Sequence, residues 1–316
     1  MREMTGQSLH AATPGDIRYW LGIDAGGTKS LASLVNAEGR ELARVRAGAG
    51  NLRIGVEAVE RLTLDMAQEA LDQAGLPQDC LGAVSLGLGL AGLSRASQSR
   101  QLATSQWPFA KVAIASDAEI AHLGAHQGED GAILIVGTGS IAYLKVDGKI
   151  DTMGGYGFPI SDEASGAALG LSAVRHALRA LDGRTQSTPL SDAVTGQFGD
   201  STVAVIEWME TATPGDFAAF APLVISYAEQ GDYIARSIVI EAVRHIERFI
   251  ETIFEKGAPR CSLMGGLAAH LRPWLRARTS EMLVEPAGDA VSGALMLAGA
   301  SRAVVQQAVA GAGTDA

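Results

Sequence analysis

The chain has 316 residues, 47% hydrophobic and 19% charged, which suits two globular domains or one large one with a substantial core. Its net charge of −10 argues against nucleic acid and anionic membranes as partners, so a phosphate site would be built locally from backbone donors, a lysine and a metal. Cys80 and Cys261 stand far apart with no CxxC or Cys/His cluster, which argues against structural zinc or iron–sulfur and points to reduced thiols in a cytoplasm.

Residues 1–16 are polar and small, with no apolar stretch of a signal peptide, and are expected as a disordered leader. No apolar run of 18 or more exists, so no membrane-spanning helix is expected. An apolar run, 17–23, ends in Asp24. Gly26-Gly27-Thr28-Lys29-Ser30 follows, then a second apolar run, 31–35, a pattern that predicts a β-hairpin. Glycine N–H groups, the Thr28 and Ser30 hydroxyls and the Lys29 ammonium are donors converging on one turn, which suits a phosphate chain. Asp24 could hold a hydrated Mg²⁺, which keeps most of its waters. An ordinary hairpin with a polar turn explains this stretch equally well when it is taken alone.

A third strand is expected at 41–46, and a helix at 55–74 from the spacing of Val56, Val59, Leu62, Met66, Ala70 and Leu71. Buried strands follow at 83–91 and 111–115, with a helix at 94–106 between them. The second of these strands runs into Ser116-Asp117 and a short helix over 122–126. The pattern then recurs: strand 132–136, the turn Gly137-Thr138-Gly139-Ser140 and return strand 141–146. Two such units about 110 residues apart point to internal duplication. A Gly-rich aromatic and acidic loop spans 154–165. Helices are expected at 163–182, 201–211, 216–229 and 232–256, a strand at 261–264 running into Gly265-Gly266, a strand at 281–284 and a small-residue helix at 289–298. The tail, 310–316, is expected to be disordered. His122, His126, His176, His245 and His270 show no metal-ligand spacing.

Together these motifs resemble the five signatures of the actin-like ATPase, or sugar kinase–heat-shock–actin, superfamily. Asp24–Ser30 and Leu134–Tyr143 resemble its two phosphate motifs. Ser116-Asp117-Ala118 and 289–298 resemble its connecting motifs, and Leu263–Gly266 its adenosine motif. Gly154-Gly155-Tyr156-Gly157 through Asp162-Glu163-Ala164-Ser165-Gly166 is similar to a stretch of N-acetylglucosamine and bacterial glucosamine kinases, of the BadF/BcrA-type ATPase domain family. Tyr156 stands where tryptophan is usual, and Ile141 where the human-type enzyme carries asparagine. The cysteine-rich zinc motif of the neighbouring hexokinase-like family is absent.

The resemblance implies an α/β protein with a duplicated ribonuclease H-like (actin-like ATPase) fold. Each lobe would hold a mixed five-stranded sheet flanked by helices, with a cleft between lobes that close on the sugar. The lobes would comprise 17–130, completed by a helix at 289–309, and 131–288. It implies an ATP-dependent kinase, a homodimer acting on the 6-hydroxyl of glucosamine or N-acetylglucosamine. Gly26, Gly27, Thr28, Lys29, Gly137, Thr138 and Gly139 would hold ATP phosphates, and Gly265 and Gly266 adenine and ribose. Asp24 would hold Mg²⁺ through water. Asp117 would take the proton of the acceptor hydroxyl; its plainer role is a helix N-cap. Asn51 and Asp162 match sugar-binding positions, with loop stabilisation and N-capping as plainer roles. Ser140, Gly155 and Tyr156 would line the same pocket, although Tyr156 could equally serve packing. Two rivals are an ATPase activator of a dehydratase, which needs cluster cysteines, and a non-catalytic sugar sensor, which needs a DNA-binding module.

Overall fold

Short runs of Val, Leu, Ile and Gly set the strands of two mixed sheets. The computed structural model describes residues 8–9, 17–93, 100–102 and 104–312. Its chain divides into two compact units, Met1–Glu129 with Pro286–Ala316, and Asp130–Glu285. The first unit carries β1 (Ser8–Leu9), β2 (Tyr19–Ala25), β3 (Ser30–Asn36), β4 (Glu41–Ala47), β5 (Val84–Leu90) and β6 (Lys111–Ser116), in spatial order β1-β6-β5-β2-β3-β4. β2, β3 and β4 form an antiparallel meander, and β5 and β6 add parallel to β2. β5 is buried at every position, as a parallel strand covered on both faces must be. Of the expected leader, Ser8–Leu9 pairs antiparallel with β6, giving this sheet a sixth, two-residue strand; the rest of 1–16 lies outside the described residues, as does most of the expected helix 94–106.

The register decides where chemistry can sit. Ala25 lies opposite Leu90, and Leu90 opposite Ser116, so the carboxyl ends of β2, β5 and β6 finish level. In open α/β sheets ligands bind at that end of the strands. The helix Val56–Gln73 covers one face, burying Val59, Met66, Ala70 and Leu71 in a core with Leu34 and Val45. On the sheet's glycines Gly22 and Gly87 the helix Ala290–Leu297 lies in backbone contact, so that an added Cβ would come within 2.6 Å of the Leu295 nitrogen and 2.0 Å of the Ala294 oxygen. The same helix meets Asp117–His126 in backbone contact at Gly124 and Gly293.

The helix expected over 289–309 is two helices. Gly299, at φ +97°, ends the first with Ala300 N–H donating to the Leu295 carbonyl and Gly299 N–H to that of Met296, a Schellman cap. The second helix, Arg302–Ala312, packs Val305 and Ala308 against Val35 and Leu295. That burial makes 310–312 helical where a disordered tail was expected; 313–316 lie outside the described residues.

The second unit carries β7 (Gly131–Val136), β8 (Ser140–Val146), β9 (Lys149–Gly154) and β10 (Cys261–Met264), ordered β10-β7-β8-β9. β10 runs parallel to β7, and the hairpins are antiparallel. This sheet has four strands rather than the expected five. The segment 281–284 forms a single parallel bridge between Leu283 and Cys261. Met282 and Leu283 are drawn into the turn after Ala277–Ser280, their N–H groups donating to Thr279 and Ser280, and Pro286 follows. Leu134, Val136, Ala142 and Leu144 form a core with the helices Gly166–Leu181, Ala221–Glu229 and Tyr233–Glu255. Among the described residues no helix is long and apolar enough to cross a membrane.

Candidate functional site

In the first unit the site elements are tied together by backbone bonds. The turn Gly26–Lys29 closes with Gly26 N–H donating to the Lys29 carbonyl at 3.1 Å. The loop after β4 folds onto it: Gly50 N–H donates to the Gly26 carbonyl at 3.0 Å, and Asn51 Nδ2 to that of Gly27 at 3.2 Å. Ser30 is buried and its hydroxyl donates to the Gly48 carbonyl at 2.8 Å. It therefore fastens the loop rather than joining the free donors. The exposed Thr28 and Lys29 side chains, by contrast, have no hydrogen bond or ion pair among the described residues. Asn51 also caps the short turn Leu52–Ile54, its Oδ1 accepting from Arg53 N–H at 2.9 Å. Its plainer role as a loop-stabilising asparagine is thus real, and it retains one N–H and one lone pair for a ligand.

Three carboxylates converge here. Asp24 ends β2, Asp117 opens the helix after β6, and Asp289 caps Ala290–Leu297 by accepting from Ser292 N–H at 2.8 Å. Burial first, then the charges of Asp117 and Asp289, push the Asp24 carboxyl up to about 6, with Lys29 pulling the other way. Burial likewise raises Asp117 and Glu119. Such excess negative charge fits a cation. Among the described residues no group of three or more acids, histidines or cysteines is placed to hold a metal ion directly. The capping role considered for Asp117 belongs to Ser116, whose Oγ accepts from Glu119 N–H at 3.1 Å. Asp117 Oδ1 accepts from the adjacent Ala118 N–H, at 2.9 Å.

In the second unit the turn Gly137–Gly139 joins β7 to β8 and is pinned by a helix start. Gly166 N–H donates to the Gly137 carbonyl at 2.8 Å and Ala167 N–H to that of Thr138 at 3.2 Å. The helix expected from 163 begins at Gly166, and its cap is Ser165, which accepts from Ala168 N–H. Asp162 is therefore not its cap. It takes a left-handed backbone, φ +66°, and the N–H groups of Ser140, Phe158 and Gly157 lie near enough to its carboxylate to favour the charged form. Burial nonetheless leaves its pKa raised. Ser140 is buried and donates its hydroxyl to the Glu163 carbonyl at 2.6 Å, so it fastens loop to turn. Gly155 packs on Ile141: a Cβ there would lie 2.9 Å from Ile141 Cδ1. Tyr156 is 81% exposed, which removes packing as its role. Gly265 abuts β7, where a Cβ would meet the Val136 oxygen at 2.3 Å, while Gly266 faces open space. Parallel pairing of Met264 with Ile135 thus sets Gly265-Gly266 beside the second turn.

Sequence reading missed Asp289 as part of the acidic group, because only the tertiary crossing of its helix brings it to Asp24. The Gly-Asp before a small-residue helix was the available signal for Asp289.

A sequence model of the BadF/BadG/BcrA/BcrD ATPase family matches residues 21–298. The chain belongs to this family. The match spans every site residue named above. Among family relatives, the glucosamine kinase GspK of Vibrio cholerae is 38% identical over 283 residues, covering 90% of this chain and 96% of that one. The N-acetylmuramic acid/N-acetylglucosamine kinase of Clostridium acetobutylicum is 28% identical over 248 residues, covering 76% and 80%. A crystal structure described as a candidate N-acetylglucosamine kinase, from Chromobacterium violaceum, superposes with a TM-score of 0.85 at 36% identity, covering 90% and 99%.

Proposed function

We propose that this chain is an ATP-dependent amino-sugar kinase that phosphorylates the 6-hydroxyl of glucosamine or N-acetylglucosamine. The observation that carries the reading is the Asp117 carboxylate. It stands at the level carboxyl ends of β2, β5 and β6, relieved of capping by Ser116, in a chain 38% identical to a glucosamine kinase. ATP would supply the phosphoryl group, with Mg²⁺ neutralising its charge.

The chain's own residues do the rest. Gly26, Gly27, Thr28 and Lys29 are assigned to phosphate binding, as are Gly137, Thr138 and Gly139; the Gly26, Gly27, Lys29, Gly137, Thr138 and Gly139 carbonyls and the Gly26 and Gly137 N–H groups are bonded within the protein, which leaves the other turn N–H groups, the threonine hydroxyls and the Lys29 ammonium as donors for an anion. Gly265 and Gly266 are assigned to the nucleoside. Asp24 orients water around the metal. Asn51 and Asp162 hold sugar hydroxyls, and exposed Tyr156 covers the sugar's apolar face. Asp117 accepts the acceptor hydroxyl's proton as the new O–P bond forms. The activator alternative has less support, because Cys261 is buried and its thiol pushed up to about 12.

A coupled ADP-release assay tests the proposal, with Mg-ATP against glucosamine, N-acetylglucosamine, glucose and no sugar. Strong stimulation by one amino sugar is expected. ADP release indifferent to every sugar would overturn the kinase reading and make iron analysis the next step.

A further inference from the structure

The loop 154–165 has little in its composition to hold it still. Gly154, Gly155 and Gly157 all take positive φ, and Ile160 is 91% exposed alongside exposed Tyr156. Phe158 is the anchor. Its ring lies 5.0 Å, centroid to centroid, from that of Phe217. Phe217 is buried and lies 4.8 Å from Trp208, which itself contacts Phe198 at 5.3 Å and Phe220 at 5.9 Å. Aromatic pairs in such tilted and edge contacts hold more firmly than their buried area alone accounts for.

Phe217 is also fixed through its backbone. A Cβ added to Gly170 would fall 1.8 Å from the Phe217 carbonyl oxygen, so this segment sits directly on the helix Gly166–Leu181. That helix's first amides hold the Gly137 and Thr138 carbonyls. Within the loop Ser161 N–H donates to the Gly157 carbonyl and Ser165 N–H to that of Asp162, so Phe158 and Asp162 belong to one bonded turn, and the amides of Ser140, Phe158 and Gly157 lie near the Asp162 carboxylate. The Phe217 ring therefore bears on the segment that carries Asp162 through Phe158, and although the Asp162 carboxylate lies against Gly139, the carbonyls of the second turn are held by helix amides rather than by that ring.

We propose that Phe217, braced by Trp208, is a positioning residue that fixes the Gly-rich loop and thereby aims Asp162. The inference rests on the amino-sugar kinase reading, in which Asp162 binds the sugar; it adds that a buried aromatic cluster remote in sequence sets sugar affinity independently of nucleotide affinity.

The test uses the full chain. Phe217→Leu keeps an apolar side chain and removes the ring. The KM for the amino sugar should rise about fivefold to tenfold, with the KM for ATP changed by less than about twofold. Phe158→Leu should do the same, and the double variant should be no worse than either single change, because both act through one contact. Hydrogen exchange, which needs no turnover, should quicken about tenfold at the Gly157, Phe158 and Ser161 amides and stay unchanged in Gly166–Leu181. Trp208→Phe should behave like the unaltered chain, and Trp208→Leu like Phe217→Leu. Additive effects of the two Phe changes, equal losses for sugar and ATP, or unaltered loop exchange would each overturn the proposal. Should Phe217→Leu fail to fold, the two Trp208 variants make the same comparison. Should the unaltered chain phosphorylate no amino sugar, the kinase reading fails by itself, and the exchange measurement still decides whether the ring positions the loop.

Discussion

Ser116 and Asp117 divide between them two roles that one acid could have filled. With the hydroxyl of Ser116 capping the helix, removing the Asp117 charge leaves the cap intact. Asp117→Asn should therefore keep its melting temperature within a few degrees while kcat falls about a hundredfold or more. Steady-state kinetics and a thermal melt on one sample check this, and retention of most of kcat would remove Asp117 as the base. Asp24 makes the opposite bargain with stability. Its folded pKa, about 6, stands above the ordinary 3.8, so the fold disfavours its charged form. The penalty is absent below about pH 4, grows as pH rises to 6 and stays full above, on the order of 2–3 kcal/mol. Asp24→Asn should thus raise stability at pH 7.5 by on the order of 1–2 kcal/mol, show no gain at pH 4, and lose kinase activity. Urea unfolding at the two pH values measures it; an equal effect at both would show that the Asp24 charge is not what the fold opposes. Asn51 serves loop and proposed ligand together, so Asn51→Ala should raise the sugar KM more than the ATP KM and cost about 1 kcal/mol through the lost cap.

Helix contacts carry these side chains, and they run through glycine. A Cβ on Gly293 would lie 1.7 Å from the Ile120 oxygen, and Ile120 belongs to the helix that begins with Asp117. Backbone cannot rotate away as a side chain can, so Gly293→Ala should push the two helices apart. A loss of about 2–4 kcal/mol, in denaturant unfolding with unchanged slope, should come with a fall in kcat larger than the change in either KM. At this scale the sequence was readable wherever the signal was local. Gly-Gly and Gly-Thr-Gly turns between apolar runs marked both hairpins, and β10 ends where its pattern ends. It was unreadable where tertiary context won. The apolar 281–284 looks like a strand but finds β10 for only one bridge, and 310–312 became helical because Val305 and Ala308 had a sheet face to cover. The helix Pro189–Gly196 was not among the expected elements, although Thr188 and Ser191, a capping box with proline in the first turn, were its available signal.

At the scale of the whole chain, the site was legible as a set of turns but not as a set of partnerships. Asp162 reads from sequence as a sugar-binding acid with an N-cap as its plainer role; the cap falls to Ser165, and the left-handed backbone of Asp162, with three amides near its carboxylate, is fixed only after the loop folds. The division into units has a similar asymmetry, and it gives a testable consequence. The unit Asp130–Glu285 is one continuous stretch, and among the described residues its core cluster, from Ala132 to Leu283, draws on none outside it. The other unit is discontinuous: Gly22 and Gly87 leave a flat patch of sheet face that Ala290–Leu297 covers, and Ser85 donates its hydroxyl to the Ala298 carbonyl. A fragment spanning 130–285 should therefore fold alone and unfold cooperatively in urea. A fragment spanning 1–129 should not, since it exposes the apolar face and leaves the buried Ser85 hydroxyl without its acceptor. Adding a 286–316 peptide should restore strand and helix signals in circular dichroism, with the gain saturating as the peptide binds. Cooperative folding of 1–129 by itself would mean that the Ala290–Leu297 helix is an accessory to that sheet rather than half of its core.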